Sequence, residues 1–234
     1  MPQSKTSTPI LAFEDTNFLK REELRGVRLQ LELLKPNLIF GEQGIDKTIV
    51  IFGSARIAPS SHYYHEARKL SALITTHFMT KTPSLIVVSG GGGGIMEAVN
   101  RGAVDAGGKS AGFNVLLPHE QTPNPYITPE LCFEFEHFAM RKMQFFRHAR
   151  ALVVFPGGFG TLDELFDALT LIQTQKMPRI PIILFDKLYW DKIVNFNGLF
   201  EAGMISAEDL ALIEYAQTSE QAWAIISSFM LKNE

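Results

Sequence analysis

Two glycine-rich turns carry the first chemical signal in this 234-residue chain. Ser89 is followed by five glycines at 90–94, and Pro-Gly-Gly-Phe-Gly-Thr stands at 156–161; each turn follows a short apolar run and precedes a helix-like pattern. A glycine turn at that junction lets the backbone approach a phosphate closely, and the free N–H groups of the helix start bind its oxygens. Five consecutive glycines lose much conformational entropy on folding, which favours ligand contact by Gly91, Gly92, Gly93 and Gly94 over tight packing alone. Gly157, Gly158, Gly160 and Thr161 form the second turn, with Thr161 placed to cap the helix that follows. Together the turns point to one phosphate-bearing ligand lying across both.

Acids and bases near the turns could act on such a ligand. Thr161-Leu162-Asp163-Glu164 has the form of a capping box, so Glu164 is either a helix cap or a carboxylate aimed at the ligand, and the local pattern leaves both open. Asp163 is the weaker candidate, because first-turn acids commonly complement the helix dipole. Glu97 falls in the first turn after the pentaglycine run. Arg141 is either a solvated helix charge, the usual fate of arginine and the one its pattern favours, or a bidentate clamp on an anion.

Other chemistries find less support. A dinucleotide fingerprint needs an acid about 20 positions on for the ribose hydroxyls, and the next strand ends without one. Gly107-Gly108-Lys109-Ser110 lacks the first glycine of a triphosphate loop, with Ala103 in its place, and precedes a strand, so it reads as a helix stop. His62 and His65 lack further ligands at zinc spacing, and no metal site is expected. Cys132 has no activating neighbour and reads as a core thiol.

The elements that must position these residues alternate. Apolar β-branched runs at 48–52 (closed by Gly53 and Ser54), 85–89, 112–118, 151–155 and 180–185 are strands covered on both faces, as in a parallel sheet. The run at 131–138 reads as a further strand at the sheet margin or leading into the next helix. Helical periodicity covers about 16–35, where Pro36 ends the helix, then 62–78, the stretch after the pentaglycine, 138–149, the stretch after Thr161, 188–201, 206–215 and 219–231. Ser206-Ala-Glu-Asp and Thr218-Ser-Glu-Gln look like helix starts. The predicted fold is α/β: a Rossmann-like, doubly wound, mainly parallel sheet with helices on both faces and extra helices at each end. Residues 1–15 read as a mobile leader and 16–234 as one nucleotide-binding domain. In such sheets ligands sit at the strand carboxyl ends, where the strand order reverses, and both glycine turns lie at such ends.

Composition agrees with an ordinary globular protein, at 46% hydrophobic and 20% charged residues. A net charge of -3 gives no broad attraction for nucleic acid or an anionic membrane, so any anion site is local. One cysteine excludes an internal disulfide, and the opening residues lack an apolar signal core, so the cytoplasm is the expected location.

The ordered motifs resemble the Lonely Guy family of phosphoribohydrolases. Residues 156–164 match its PGGxGTxxE signature, and Arg141-Lys142 stands upstream as in that family. The likeness extends through 52–56, 90–103, 117–126 and 157–176, and is similar to the longer bacterial branch often labelled possible lysine decarboxylases. The resemblance implies a Rossmann-like homodimer that hydrolyses the N-glycosidic bond of a nucleoside 5'-monophosphate, of adenine or cytokinin type, to free base and ribose 5-phosphate without a cofactor. It implies Arg141 and Glu164 as the catalytic pair. The substrate and its phosphate would be held by Gly53, Ser54, Gly91 to Gly94, Glu97, Gly157, Gly158, Gly160 and Thr161. The rival from another class is a carrier or sensor that binds a nucleotide or phosphate-bearing cofactor in the same pocket without hydrolysis; retention of Arg141 and Glu164 favours the enzyme. Decarboxylation through pyridoxal phosphate would need a Schiff-base lysine with an acidic partner for the ring nitrogen, and Lys142 is the only lysine near the proposed site.

Overall fold

The computed structural model describes residues 9–81, 84–116 and 122–232. Residues 1–8 of the expected leader and 117–121, in the run of family-like motifs, lie outside the described residues. Seven strands, β1 (Ile45–Phe52), β2 (Ser84–Ser89), β3 (Ser110–Val115), β4 (Cys132–Phe135), β5 (Ala149–Val154), β6 (Ile182–Phe185) and β7 (Ile213–Ala216), form one sheet in the order β4-β3-β2-β1-β5-β6-β7. Every pairing is parallel.

Both faces of the sheet are buried, which explains the continuous apolar runs. Ile49 and Ile51 of β1 enter one core cluster, Val50 and Phe52 the opposite one. The first cluster packs under α3 (His62–Phe78), α4 (Ile95–Asp105) and α10 (Ser219–Lys232); the second packs under α2 (Arg25–Glu42), α5 (Phe138–Arg147) and α6 (Phe159–Gln173). From β1 the chain winds outward to β4, then returns to β5 on the other side of β1. The order therefore reverses between β1 and β5, at the carboxyl ends that carry Gly53 and Pro156.

Several local expectations are corrected. The helix expected over 16–35 is a short α1 (Thr16–Leu19), a 3-10 turn (Glu22–Leu24) and then α2, which runs through Pro36 rather than stopping there. Pro36 and Phe40 are buried, and the Leu33 carbonyl in that turn accepts from Asn37 Nδ2 and Gln144 Nε2 at 2.6 and 2.7 Å. Burial of Pro36 and Phe40 offsets the amide lost at Pro36, while these bonds serve the neighbouring Leu33 carbonyl. The expected 188–201 helix divides into α7 (Lys187–Ile193) and α8 (Phe196–Glu201), where Asn195 Oδ1 caps the Gly198 amide at 2.8 Å. The expected helix over 206–215 is one turn, α9 (Ala207–Leu210), started by a true capping box between Ser206 and Asp209. The chain then extends as edge strand β7, pairing Ile182 with Ile213. Cys132 is half-buried in margin strand β4 rather than in the core. Among the described residues no helix is long and apolar enough to cross a membrane.

Candidate active site

Both glycine turns meet at the reversal point, and Ser54 joins them. Its amide donates to Pro156 O at 3.1 Å, and its carbonyl accepts from the Ile95 amide at 3.1 Å. Gly53 lets α4 approach, since a Cβ there would lie 2.7 Å from a methyl of Ile95.

Within the pentaglycine run the residues divide by task. Gly91 and Gly94 have φ of +79° and +61°, and side chains there would strike Asn114 and the Ser54–Ala55 backbone. A Cβ at Gly90 would lie 2.6 Å from Arg141 Nη2. Packing thus accounts for three of the five glycines, a larger share than the sequence suggested. The amides of Gly92, Gly93 and Gly94 donate to no acceptor among the described residues.

At the second turn α6 starts at Phe159 with Gly158 as N-cap, so Thr161 is its third residue and Glu164 its sixth. This removes the capping reading of both residues: Thr161 is buried with its side chain against Gly157, and Glu164 lies beyond the turn whose amides need caps. Cβ atoms built at Gly158 and Gly160 meet nothing within 4 Å, so this rim faces open space. Tyr189 Oη donates to Gly157 O at 2.8 Å and anchors the turn from α7.

Arg141 and Glu164 come together from α5 and α6. Arg141 Nη1 lies 3.3 Å from Glu164 Oε1, and Arg141 Nε donates to Phe113 O at 2.7 Å. Arg141 is 9% exposed and Glu164 8%, so the solvated reading of Arg141 is overturned. Desolvation pushes the Glu164 carboxyl up to about 7, although Arg141 beside it pulls the other way. Burial likewise lowers the Arg141 pKa more than Glu164 raises it. A carboxylate poised near neutrality beside a fixed guanidinium suits acid-base or charge-stabilising chemistry.

The remaining candidates are placed differently. Glu97, in the first turn of α4, accepts from Tyr64 Oη at 2.7 Å. Asp163 is exposed and pairs with Lys142 Nζ at 3.2 Å. Lys142 also reaches Asp167 at 3.4 Å, and these acids raise its pKa. An amine that forms a Schiff base must be held deprotonated; Lys142 does not fit pyridoxal phosphate. Among the described residues one group could in principle hold a cation, Glu32 with Glu136 and His137. There Glu32 already accepts the Glu136 and His137 amides at 3.1 and 3.3 Å, which is the work of a cap on α5.

Asn100, Asn124 and Tyr189 were missed as parts of the site. The only signal for Asn124 was its place in the Pro-Asn-Pro-Tyr run at 123–126.

A family model described as possible lysine decarboxylase matches residues 96–226. The chain is similar to cytokinin riboside 5'-monophosphate phosphoribohydrolase LOG4 of Arabidopsis thaliana, 29% identical over 134 residues, which are 55% of this chain and 60% of the relative. It thus spans 60% of the length of that relative. LOG2 of the same plant is 25% identical over 175 residues, 73% of this chain and 78% of the relative. Among solved structures, a Northeast Structural Genomics Consortium target shares 25% identity with a TM-score of 0.57, over 78% of this chain and 99% of that one. The molybdenum cofactor binding protein of Rippkaea orientalis shares the fold, at 20% identity and a TM-score of 0.56, over 79% and 98% of the two chains.

Proposed function

This chain belongs to the Lonely Guy family, whose model carries the description possible lysine decarboxylase, and on that premise we propose that it is a nucleoside 5'-monophosphate phosphoribohydrolase. The observation that carries the reading is the buried Arg141–Glu164 pair beside two glycine turns, the first with the Gly92, Gly93 and Gly94 amides meeting no acceptor among the described residues. The substrate is an adenine-type purine nucleotide, the products are free base and ribose 5-phosphate, and the work is done in the cytoplasm.

The 5'-phosphate binds the open amides at the starts of α4 and α6, where helix dipoles favour negative charge. Binding energy from this remote group positions the sugar. As the bond from C1' to the base nitrogen breaks, positive charge builds on the ribose ring, and the ionised Glu164 stabilises it and orients the attacking water. Water adds hydroxyl to C1', and its proton leaves with the base. Arg141 holds Glu164 in place and pairs with negative charge on the substrate. Hydrolysis is redox-neutral and needs no electron carrier.

A homodimer completes the reading. Val27, Leu31, Leu34 and Leu38 recur at helical spacing and form an exposed apolar stripe on α2, with Leu31 53% and Leu38 62% exposed. Beside it a 580 Å³ groove between α2, α5 and α6 is lined by Leu33, Met143, Phe146, Leu171 and Met177. Such a surface fits a self-complementary partner. Light scattering should give twice the 26.2 kDa chain mass, and a monomer at micromolar concentration overturns this part.

The decisive experiment incubates the protein with nucleoside mono-, di- and triphosphates and free nucleosides and measures released base. Monophosphates should react and free nucleosides should not. Equal release from adenosine and its monophosphate refutes the phosphate assignment, and tight binding without release points to a carrier.

A further inference from the structure

The pentaglycine turn is held from behind by a buried polar network that the reaction itself does not use. Asn124 is 7% exposed, and its Nδ2 lies 3.1 Å from Gly91 O, 3.0 Å from Gly92 O and 2.9 Å from Asn100 Oδ1. Its backbone amide donates to Gly91 O as well, at 2.8 Å. Three oxygens face Nδ2, so only the amino end of the side chain can stand there. Its Oδ1 is taken by the Tyr126 amide at 3.1 Å, which fixes the side chain in a local turn.

Behind Asn124 the network closes. Asn100 is fully buried; its Oδ1 also accepts from Ser89 Oγ at 2.7 Å, and its Nδ2 donates to Ser110 Oγ at 3.0 Å and Ala111 O at 3.2 Å. Ser89 Oγ in turn accepts from the Gly91 amide at 3.1 Å. Satisfied buried networks of this kind rigidify what they touch.

The consequence follows from peptide geometry. In a trans peptide the carbonyl of one residue and the N–H of the next point in opposite directions. Asn124 draws the carbonyls of Gly91 and Gly92 inward, so the N–H groups of Gly92 and Gly93 are turned outward. Those two amides have no acceptor among the described residues. Successive outward amides form an anion-binding nest.

We infer that Asn124 is a positioning residue for the phosphate site, setting the Gly92 and Gly93 amides in their anion-binding orientation before the ligand arrives. This rests on the reading that the turn holds a phosphate, but not on hydrolysis. Without the Asn124 side chain, Gly91 O keeps only the backbone amide of residue 124 and Gly92 O loses the Nδ2 donor; glycine has wide backbone freedom, and re-ordering the turn would be charged against ligand binding.

The test uses the full chain with its glycine amides labelled with nitrogen-15, titrated with ribose 5-phosphate and with inorganic phosphate. In the parent protein the Gly92 and Gly93 resonances should shift with occupancy. In Asn124→Ala the dissociation constant should rise ~10-fold, as for loss of one well-made buried hydrogen bond. The KM for a monophosphate should rise with it, while kcat changes less. Ser110→Ala is the control: it removes a bond on the far side of Asn100, so it should lower the melting temperature yet keep phosphate affinity within about twofold, since Asn124 and the glycine carbonyls are untouched. Equal weakening by Ser110→Ala would mean general loosening and overturns the inference. So would parent-like binding by Asn124→Ala. If Asn124→Ala does not fold, the parent titration decides, and unmoved Gly92 and Gly93 amides at saturation overturn it. If no nucleotide releases base but the amide shifts and the Asn124 dependence hold, the hydrolase reading falls and this one stands.

Discussion

Arg141 Nη1 lies 3.3 Å from Glu164 Oε1, while its Nε is held 2.7 Å from the carbonyl of Phe113. The guanidinium is thus gripped by a strand on one side and a helix carboxylate on the other, away from water.

Glu164→Gln should separate catalysis from folding. The sixth residue of α6 has no capping role to lose, and glutamine keeps its size while removing the charge. Base release should fall by at least ~100-fold, about 2.7 kcal/mol of barrier, with monophosphate binding retained. Near-normal turnover in a folded variant would move the role to Asp163 or Glu97.

The same carboxyl should leave a mark on stability. Burial holds its pKa at about 7 in the folded protein, against 4.5 for a free glutamate side chain. Below about 4.5 both states hold the proton and its burial costs nothing extra. As pH rises towards 7 the unfolded chain ionises first, so stability falls, by on the order of 3 kcal/mol, and levels off above the folded pKa. Glu164→Gln lacks this term, so the Tm of the variant minus that of the parent should grow as pH is raised from about 5 to about 8. A constant difference would rule out the raised pKa. In activity, kcat/KM should climb with a limb near 7. A limb near 6, where a phosphate monoester takes its second charge, would assign it to the substrate.

Arg141→Ala should cost far more activity than Lys142→Ala. Arg141 is buried against Phe113 and Glu164, whereas Lys142 pairs with Asp163 and Asp167 at the surface of α6. A partly exposed pair of that kind contributes at most about 1 kcal/mol. Equal losses of base release in the two variants would contradict the assignment.

Gly90→Ala should disturb the site while sparing the fold. The added methyl would meet Arg141 Nη2 and Met96 Sδ, each at 2.6 Å, and both are ends of flexible side chains. The guanidinium must move, so base release should drop ~10-fold or more, while the protein stays folded with a stability loss of about 1–3 kcal/mol. Full activity would show that the position of Arg141 is not critical.

Local pattern determined much of this protein. The alternation of apolar runs and helical periods is written residue by residue, because a strand covered on both faces must be apolar throughout. The glycine turns were legible for the same reason, as short motifs within single turns of chain, whereas local pattern favoured a solvated Arg141 and left Glu164 open, and only the family resemblance paired them. Only the tertiary structure decided what those residues face. Pro36 reads as a stop until Pro36 and Phe40 are buried against the sheet and Gln144, 108 positions on, bonds the Leu33 carbonyl in the same turn. Residues 213–215 read as helix until β6 offers an edge to pair with. Glu164 fits a capping box until the helix begins at Phe159 instead of after Thr161. Arg141 is fixed by the carbonyl of Phe113, and the Gly91 and Gly92 carbonyls by Asn124; both partners lie far along the chain. Periodicity records only the neighbours a residue has in sequence, while charge burial and amide direction are set by neighbours that folding brings.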